Sequence, residues 1–197
     1  ASEAMLLVID NYDSFTYNIV QGLQVHGASV EVFKHDDRRI TQIDVADYDG
    51  VLLGPGPGRP ETAGYLMSFI EQLGTRLPML GICLGMQALA LHYGGSVVAA
   101  PRPLHGHVAK IEHDGLGLFD GLASPIEATR YHSLCVDNSS VPRALNVSAR
   151  SDDDVIMGLR SQCGLVEAFQ FHPESIASVQ GPHLLRAFVR KVDHHVA

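Results

Sequence analysis

Between Pro78 and Tyr93 the chain passes from a strand-like apolar run straight into a helix pattern, with no loop between them. In "LPMLGICLGMQALALHYGG" the junction is a single cysteine, Cys83, framed by Gly81 and Gly85. A strand that feeds directly into a helix is the front half of a β-α-β unit. Such units imply right-handed crossovers and a parallel sheet covered by helices on both faces.

The same rhythm recurs through the first half. "MLLVI" (Met5 to Ile9) reads as a strand buried on both faces, followed by helical spacing at Ile19, Val20 and Leu23 that stops at Gly27. "SVEVF" and "GVLL" are the next strands, and a helix is expected from about Glu61 to Leu73. After Tyr93 the pattern changes. "HVAKIEH", "IEATRYH", "ALNVSAR", "VIMGLR" and "LVEAFQF" are short runs between turn residues, which suggests antiparallel additions. Leu184, Leu185, Phe188, Val189 and Val192 give a final helix one apolar stripe. No repeat or linker divides the chain. The expectation is one domain over 1–197, three-layer α/β, doubly wound and mostly parallel, with residues 1–4 a remnant or short extension ahead of Met5.

Composition narrows the partners. A formal charge of −8 disfavours nucleic acid and anionic membrane surfaces, which would repel an acidic chain. No apolar run approaches the roughly 20 residues of a membrane span, and the first residues lack a signal peptide's basic start and apolar block. Three cysteines at scattered positions make no disulfide framework, so a reducing, cytoplasmic setting is expected.

Ligands of a doubly wound sheet sit at the carboxyl ends of its strands. Three segments qualify: "DNYDS", "GPGPGRP" and the turn at Cys83. A residue wedged between strand and helix is pushed toward positive φ, and small neighbours relieve the crowding. The helix start behind Cys83 favours a thiolate, lowering a thiol pKa from about 8.5 toward neutrality. The Leu84 N–H then points where an oxyanion would form. Free cysteines are more often small buried hydrophobes, and that reading suits Cys135 and Cys163, which lack flanking glycines.

A nucleophilic thiol needs a base, and the base needs an orienting group. "FQFHPES" offers both: His172 and Glu174 lie two apart across a stiffening proline, so their side chains project to one side in extended backbone. By itself this pair reads as a buried-edge histidine beside a surface glutamate. Together with the Cys83 elbow it reads as a Cys–His–Glu relay.

The ordered set "DNYDSFTYN", "GPGPGRP", "GICLGMQ", "LHGH", "HDGLGLFDGL", "RYHSL" and "FQFHPES" resembles the class I (triad) glutamine amidotransferases, and more narrowly the glutaminase subunits of anthranilate and aminodeoxychorismate synthases. The resemblance runs from about Met5 to Val189. It implies a flavodoxin-like sheet, Cys83 as nucleophile, and His172 with Glu174 completing the triad. It also implies an oxyanion hole from the backbones of Gly56 and Leu84, with glutamine seated by Gly56, Pro57, Gly58, Gln87, Ser133 and Leu134. No metal or organic cofactor is implied in this chain. The implied partners are glutamine and a chorismate-binding synthase subunit that receives ammonia.

Departures from the family's pattern fall outside the triad: His107 follows "HG" where lysine is usual, Gly54 replaces a serine, and "EAF" precedes "QFHPES". His105 and His107 lack a nearby third metal ligand, and Asp152 to Asp154 lacks the glycine and glutamate of a calcium loop. "DNYDSF" reads as a helix start capped by Ser14 or Asp13. The pathway is expected to be anthranilate synthesis, the alternatives being aminodeoxychorismate synthesis or a subunit shared by both. More distant readings are a glutaminase for another acceptor and a non-catalytic flavodoxin-like redox or binding module.

Overall fold

The computed structural model describes residues 4–74 and 76–196, so most of the expected short extension, residues 1–3, lies outside the described residues. A single nine-stranded sheet has the order β2-β1-β3-β4-β9-β8-β7-β5-β6. The strands are β1 Met5–Asp10, β2 Ser29–Lys34, β3 Gly50–Leu53, β4 Met79–Ile82, β5 Val97–His113, β6 Ile126–Val136, β7 Leu145–Ser151, β8 Ile156–Ser161 and β9 Val166–Phe169. Among the described residues four α-helices accompany them: α1 Thr16–Gln24, α2 Leu66–Leu73, α3 Leu84–His92 and α4 Gly181–Val196.

Two cores form because successive strand residues point to opposite faces. In β1, Leu6 and Val8 pack with Ile19 and Leu23 of α1 and with Leu184, Phe188 and Val192 of α4. Leu7 and Ile9 face the other way, onto α2 and α3. β1, β3 and β4 are thus apolar on both sides, which explains their uninterrupted runs. α3 is buried from Leu84 to Ala90. It has no polar stripe because it has almost no solvent-facing side.

Three local expectations are corrected. The run "LVEAFQF" is not an antiparallel addition on β4's side: its strand, β9, pairs parallel with β4 and antiparallel only with β8. It is the hinge between the two halves of the sheet, and periodicity carries no information about strand direction. The helix expected from Glu61 is a 3₁₀ turn at Pro60–Thr62, and α2 begins only at Leu66. Between them Gly64 adopts φ +53° against the His35 carbonyl, where a Cβ would sit 2.7 Å from that oxygen. "LHGH" lies within β5, which has register breaks between Ala99 and Leu104 and between His105 and His107. Pro101 and Pro103 fall in the first break, where no ladder hydrogen bond is demanded of them. Finally, neither Ser14 nor Asp13 occupies the N-cap of α1. That position is Phe15, and Asp13 accepts the Phe15 N–H at 2.8 Å. The loop instead winds around Asp10, whose carboxylate accepts from the Tyr12 N–H and the Thr16 hydroxyl.

Among the described residues no helix is long and apolar enough to cross a membrane, and no group of three or more His, Cys, Asp or Glu could hold a metal ion.

Candidate active site

Cys83 stands at the carboxyl end of β4 with φ 54° and ψ −104°. A side-chain-bearing residue in this region costs about 1–3 kcal/mol, so the surroundings must hold it there. They do so at close quarters. The Cys83 N–H donates to the Phe169 carbonyl at 2.7 Å, tying the elbow to β9. A Cβ on Gly81 would lie 2.7 Å from the Gly85 carbonyl, and one on Gly85 only 2.1 Å from the Leu53 carbonyl. The two glycines let α3 descend onto β3 and β4 until backbone touches backbone. They frame the cysteine for this reason. Gly85→Ala is therefore expected to push α3 off β3. Overpacking of this kind costs about 1–3 kcal/mol and more where the obstacle is backbone. The check is the urea midpoint, which should fall by that equivalent; an unchanged midpoint would show that the junction is looser than described.

His172 lies three residues past β9 and is held mainly by its backbone. Its N–H donates to the Thr129 carbonyl at 2.9 Å, and its carbonyl accepts the Ser178 hydroxyl at 2.6 Å. Ser178 in turn accepts the Thr129 N–H at 2.9 Å, closing a clamp between β6 and the histidine. The imidazole Nδ1 is 2.6 Å from Glu174 Oε1, so Nδ1–H donates to the carboxylate. The Glu174 side chain is fully shielded, which removes the surface-glutamate alternative. Nε2 is buried and makes no hydrogen bond among the described residues. Burial disfavours the imidazolium, but the neighbouring Cys83 and Glu174 outweigh it and raise the His172 pKa to about 10. The edge of the Tyr131 ring stands against the imidazole, with centroids 5.3 Å apart.

A cavity of about 260 Å³, the scale of one amino acid, opens over the sulfur. Gly56, Pro57 and Gly58 form one wall, and Gln87, Ser133 and Leu134 another. The glycine wall is pinned to the first loop: a Cβ on Gly56 would lie 2.2 Å from the Asn11 carbonyl, and Asn11 Nδ2 donates to the Gly54 carbonyl at 2.7 Å. Leu84 buries its side chain in the core. It offers the site only its N–H, which as the first of α3 has no partner within the helix. A larger cavity of about 570 Å³ lies beside α4, but it holds no cysteine, serine or threonine, and Arg160 and Lys191 on its wall both pair with the buried Glu167.

Sequence reasoning missed several residues here. Tyr131, whose carbonyl faces Cys83 Sγ at 3.6 Å, and His132 both line the cavity, as does His105, considered above only as a metal ligand. His132 is buried, and that burial, aided by the nearby Arg130 charge, lowers its pKa to about 4. Gln170 is fully buried and donates from Nε2 to Cys83 Sγ at 3.5 Å. Gln170, Tyr131 and His132 sit inside the motifs quoted above, so the signal was present without a role attached. Ser178 carried no signal at all.

A strained thiol at a strand–helix elbow, with a carboxylate-held imidazole beside it and an amino-acid-sized cavity above, defines a cysteine-dependent enzyme of acyl-transfer type on a doubly wound α/β scaffold. Residues 7–192 match the class-I glutamine amidotransferase family, and the chain belongs to it. It is 45% identical to anthranilate synthase component 2 of Pseudomonas aeruginosa (95% of this chain, 96% of the relative). It is 44% identical to aminodeoxychorismate synthase component 2 of Escherichia coli (95% and 100%) and 42% identical to the aminodeoxychorismate/anthranilate synthase component 2 of Bacillus subtilis (94% and 95%). The bifunctional protein TrpGD of Thermotoga maritima is 42% identical over 97% of this chain, which spans 33% of that longer protein. In three dimensions the chain superposes on a crystal structure from Thermoplasma acidophilum, described as a GMP synthase subunit, with TM-score 0.88 and 25% identity, covering 100% and 97% of the two chains.

Proposed function

We propose that this chain is a glutaminase subunit that hydrolyses glutamine and passes the ammonia to a chorismate-using synthase subunit. The observation that carries this reading is the meeting of Cys83, His172 and Glu174 beside a cavity walled by Gly56 to Gly58 and Gln87. Cys83 thiolate attacks the side-chain carbonyl of glutamine. The N–H groups of Leu84 and Gly56 receive the oxyanion, each such donor being worth about 3 kcal/mol of barrier. His172, protonated and steadied by Glu174, gives its Nε2 proton to the departing ammonia. It then takes a proton from water, which attacks the thioester to release glutamate and the thiolate. The sequence of steps calls for no metal or organic cofactor.

Gln87 bears on how glutamine is held. Its Nε2 donates to both the Leu134 carbonyl and Gln170 Oε1, at 3.2 Å each. Only its oxygen is left, so Gln87 meets the substrate as an acceptor. The Leu134 carbonyl also accepts from His132 Nδ1 at 2.9 Å, which occupies both lone pairs. Contact with glutamine at that corner then falls to Ser133 and to other atoms of Leu134.

Anthranilate synthesis is the leading pathway, and aminodeoxychorismate synthesis is kept as the second reading because relatives of nearly equal identity carry each name. Three free cysteines fit a reducing cytoplasm. Ammonia release from glutamine is expected to be slow for the chain alone and to rise at least tenfold with its cognate chorismate-binding subunit. Titrating the chain with an anthranilate-type and an aminodeoxychorismate-type subunit identifies the pathway. No release with either subunit would overturn the glutaminase reading.

A further inference from the structure

We propose that Gln170 is a further catalytic residue: a hydrogen-bond chain of fixed polarity makes it present an N–H, and not its oxygen, to the Cys83 sulfur. The inference rests on the reading of Cys83 as nucleophile.

The polarity is set on β6. Arg130 is buried, with its side chain only 1% exposed, and pairs through Nη1 with Asp153 at 3.0 Å. Its Nε is 3.0 Å from His132 Nε2. A guanidinium can only donate, so His132 Nε2 must accept and the histidine must carry its hydrogen on Nδ1. That Nδ1–H is then the donor to the Leu134 carbonyl, 2.9 Å away. Arg130, His132 and Leu134 are two apart along one strand, which brings them to one face of it.

The Leu134 carbonyl is a pinned acceptor, and it decides how Gln87 is turned. With its oxygen toward Leu134, Gln87 would set acceptor against acceptor, so its amide nitrogen faces the carbonyl. The second N–H of the same nitrogen reaches Gln170 Oε1. Gln170 is thereby turned in its own pocket, and Nε2 is the atom left to face Cys83 Sγ. Gln170 is fully buried, does not line the cavity, and lies at the end of β9 beside the backbone bond that holds the elbow. A buried donor aimed at sulfur stabilises the thiolate more than the thiol. It does so both before attack and when the sulfur leaves the thioester, and it needs no contact with glutamine.

The test is Gln170→Met, which keeps length and removes the donor. Cys83 alkylation by iodoacetamide at pH 7 is read by peptide mapping, with exposed Cys163 in the same molecule as internal reference. The expected result is a fall of about tenfold in the Cys83-to-Cys163 rate ratio. With the synthase subunit, kcat for glutamine should fall by a similar factor while KM stays within twofold. A residue with only a packing role would leave the ratio unmoved. Should Gln170→Met fail to fold, Gln170→Asn, whose amide is one carbon too short to reach the sulfur, makes the same test. An unchanged ratio and kcat in a variant whose parent hydrolyses glutamine would overturn this inference alone. A parent that hydrolyses no glutamine with either synthase subunit would overturn the functional reading and the inference together.

Discussion

Cys83→Ser, assembled with the chorismate-binding subunit, is expected to lose glutamine-dependent synthesis while still making product from added ammonium salt. The geometry gives the reason. The hydroxyl would sit at the same strained elbow, φ 54°, with the same helix start behind it, so the substitution leaves α3 and the sheet in place. It removes the polarisable sulfur nucleophile that neighbours the buried imidazole. Loss of a nucleophile from such a relay costs roughly 10⁴- to 10⁶-fold in turnover. On the proposed division of labour the synthase chemistry resides on the other chain, so the ammonium-driven rate should stay within about twofold. Both rates are measured on one purified complex. If the ammonium-driven rate vanished with the glutaminase while the complex stayed assembled, the division of labour would be wrong.

His172→Ala should cost about 10²- to 10⁴-fold in glutaminase rate, the usual worth of a positioned acid–base. It should leave the fold intact, because its main-chain bonds to Thr129 and Ser178 need no imidazole. Glu174→Gln should be milder, and its signature is in the pH profile. Cys83 and Glu174 raise the His172 pKa to about 10, so the proton given to ammonia is present throughout the neutral range and is lost only as pH climbs through that value. Removing the Glu174 charge takes away part of that upward push, so the high-pH limb of the rate should move to lower pH. The same sign governs stability. The contribution of the His172–Glu174 pair is complete below the ordinary histidine value near 6.5 and declines as pH rises toward 10. A Glu174→Gln profile that overlays the parent's at high pH would assign the proton donor elsewhere.

Much of this was legible in the chain. A buried parallel strand must be apolar on both faces, so "MLLVI", "GVLL" and "PMLGI" could be read as strands, and the stripe through Leu184 and Phe188 as a helix. Cys83, His172 and Glu174 stood out because their chemistry calls for flanking glycines and a stiff spacing, and those are local. The residues that went unread act at a distance. Ser178 holds His172 through β6, and Gln170 meets Cys83 across 87 positions of sequence. Nothing local requires a serine or a glutamine there.

The α/β alternation, the strand–helix elbow and the pairing of His172 with Glu174 follow from the sequence by itself, because each is set by neighbours within one or two turns of chain. Only the tertiary structure decided that β9 runs parallel to β4, which brings the elbow and the histidine to the same end of the sheet. It alone decided that α1 starts at Thr16, after a loop wound on Asp10, and that "LHGH" bends within β5 over the cavity. It also decided that the buried Arg130 pairs with the half-buried Asp153. Strand direction, register breaks and buried polar partners depend on which distant segments meet, and short-range pattern holds no record of that.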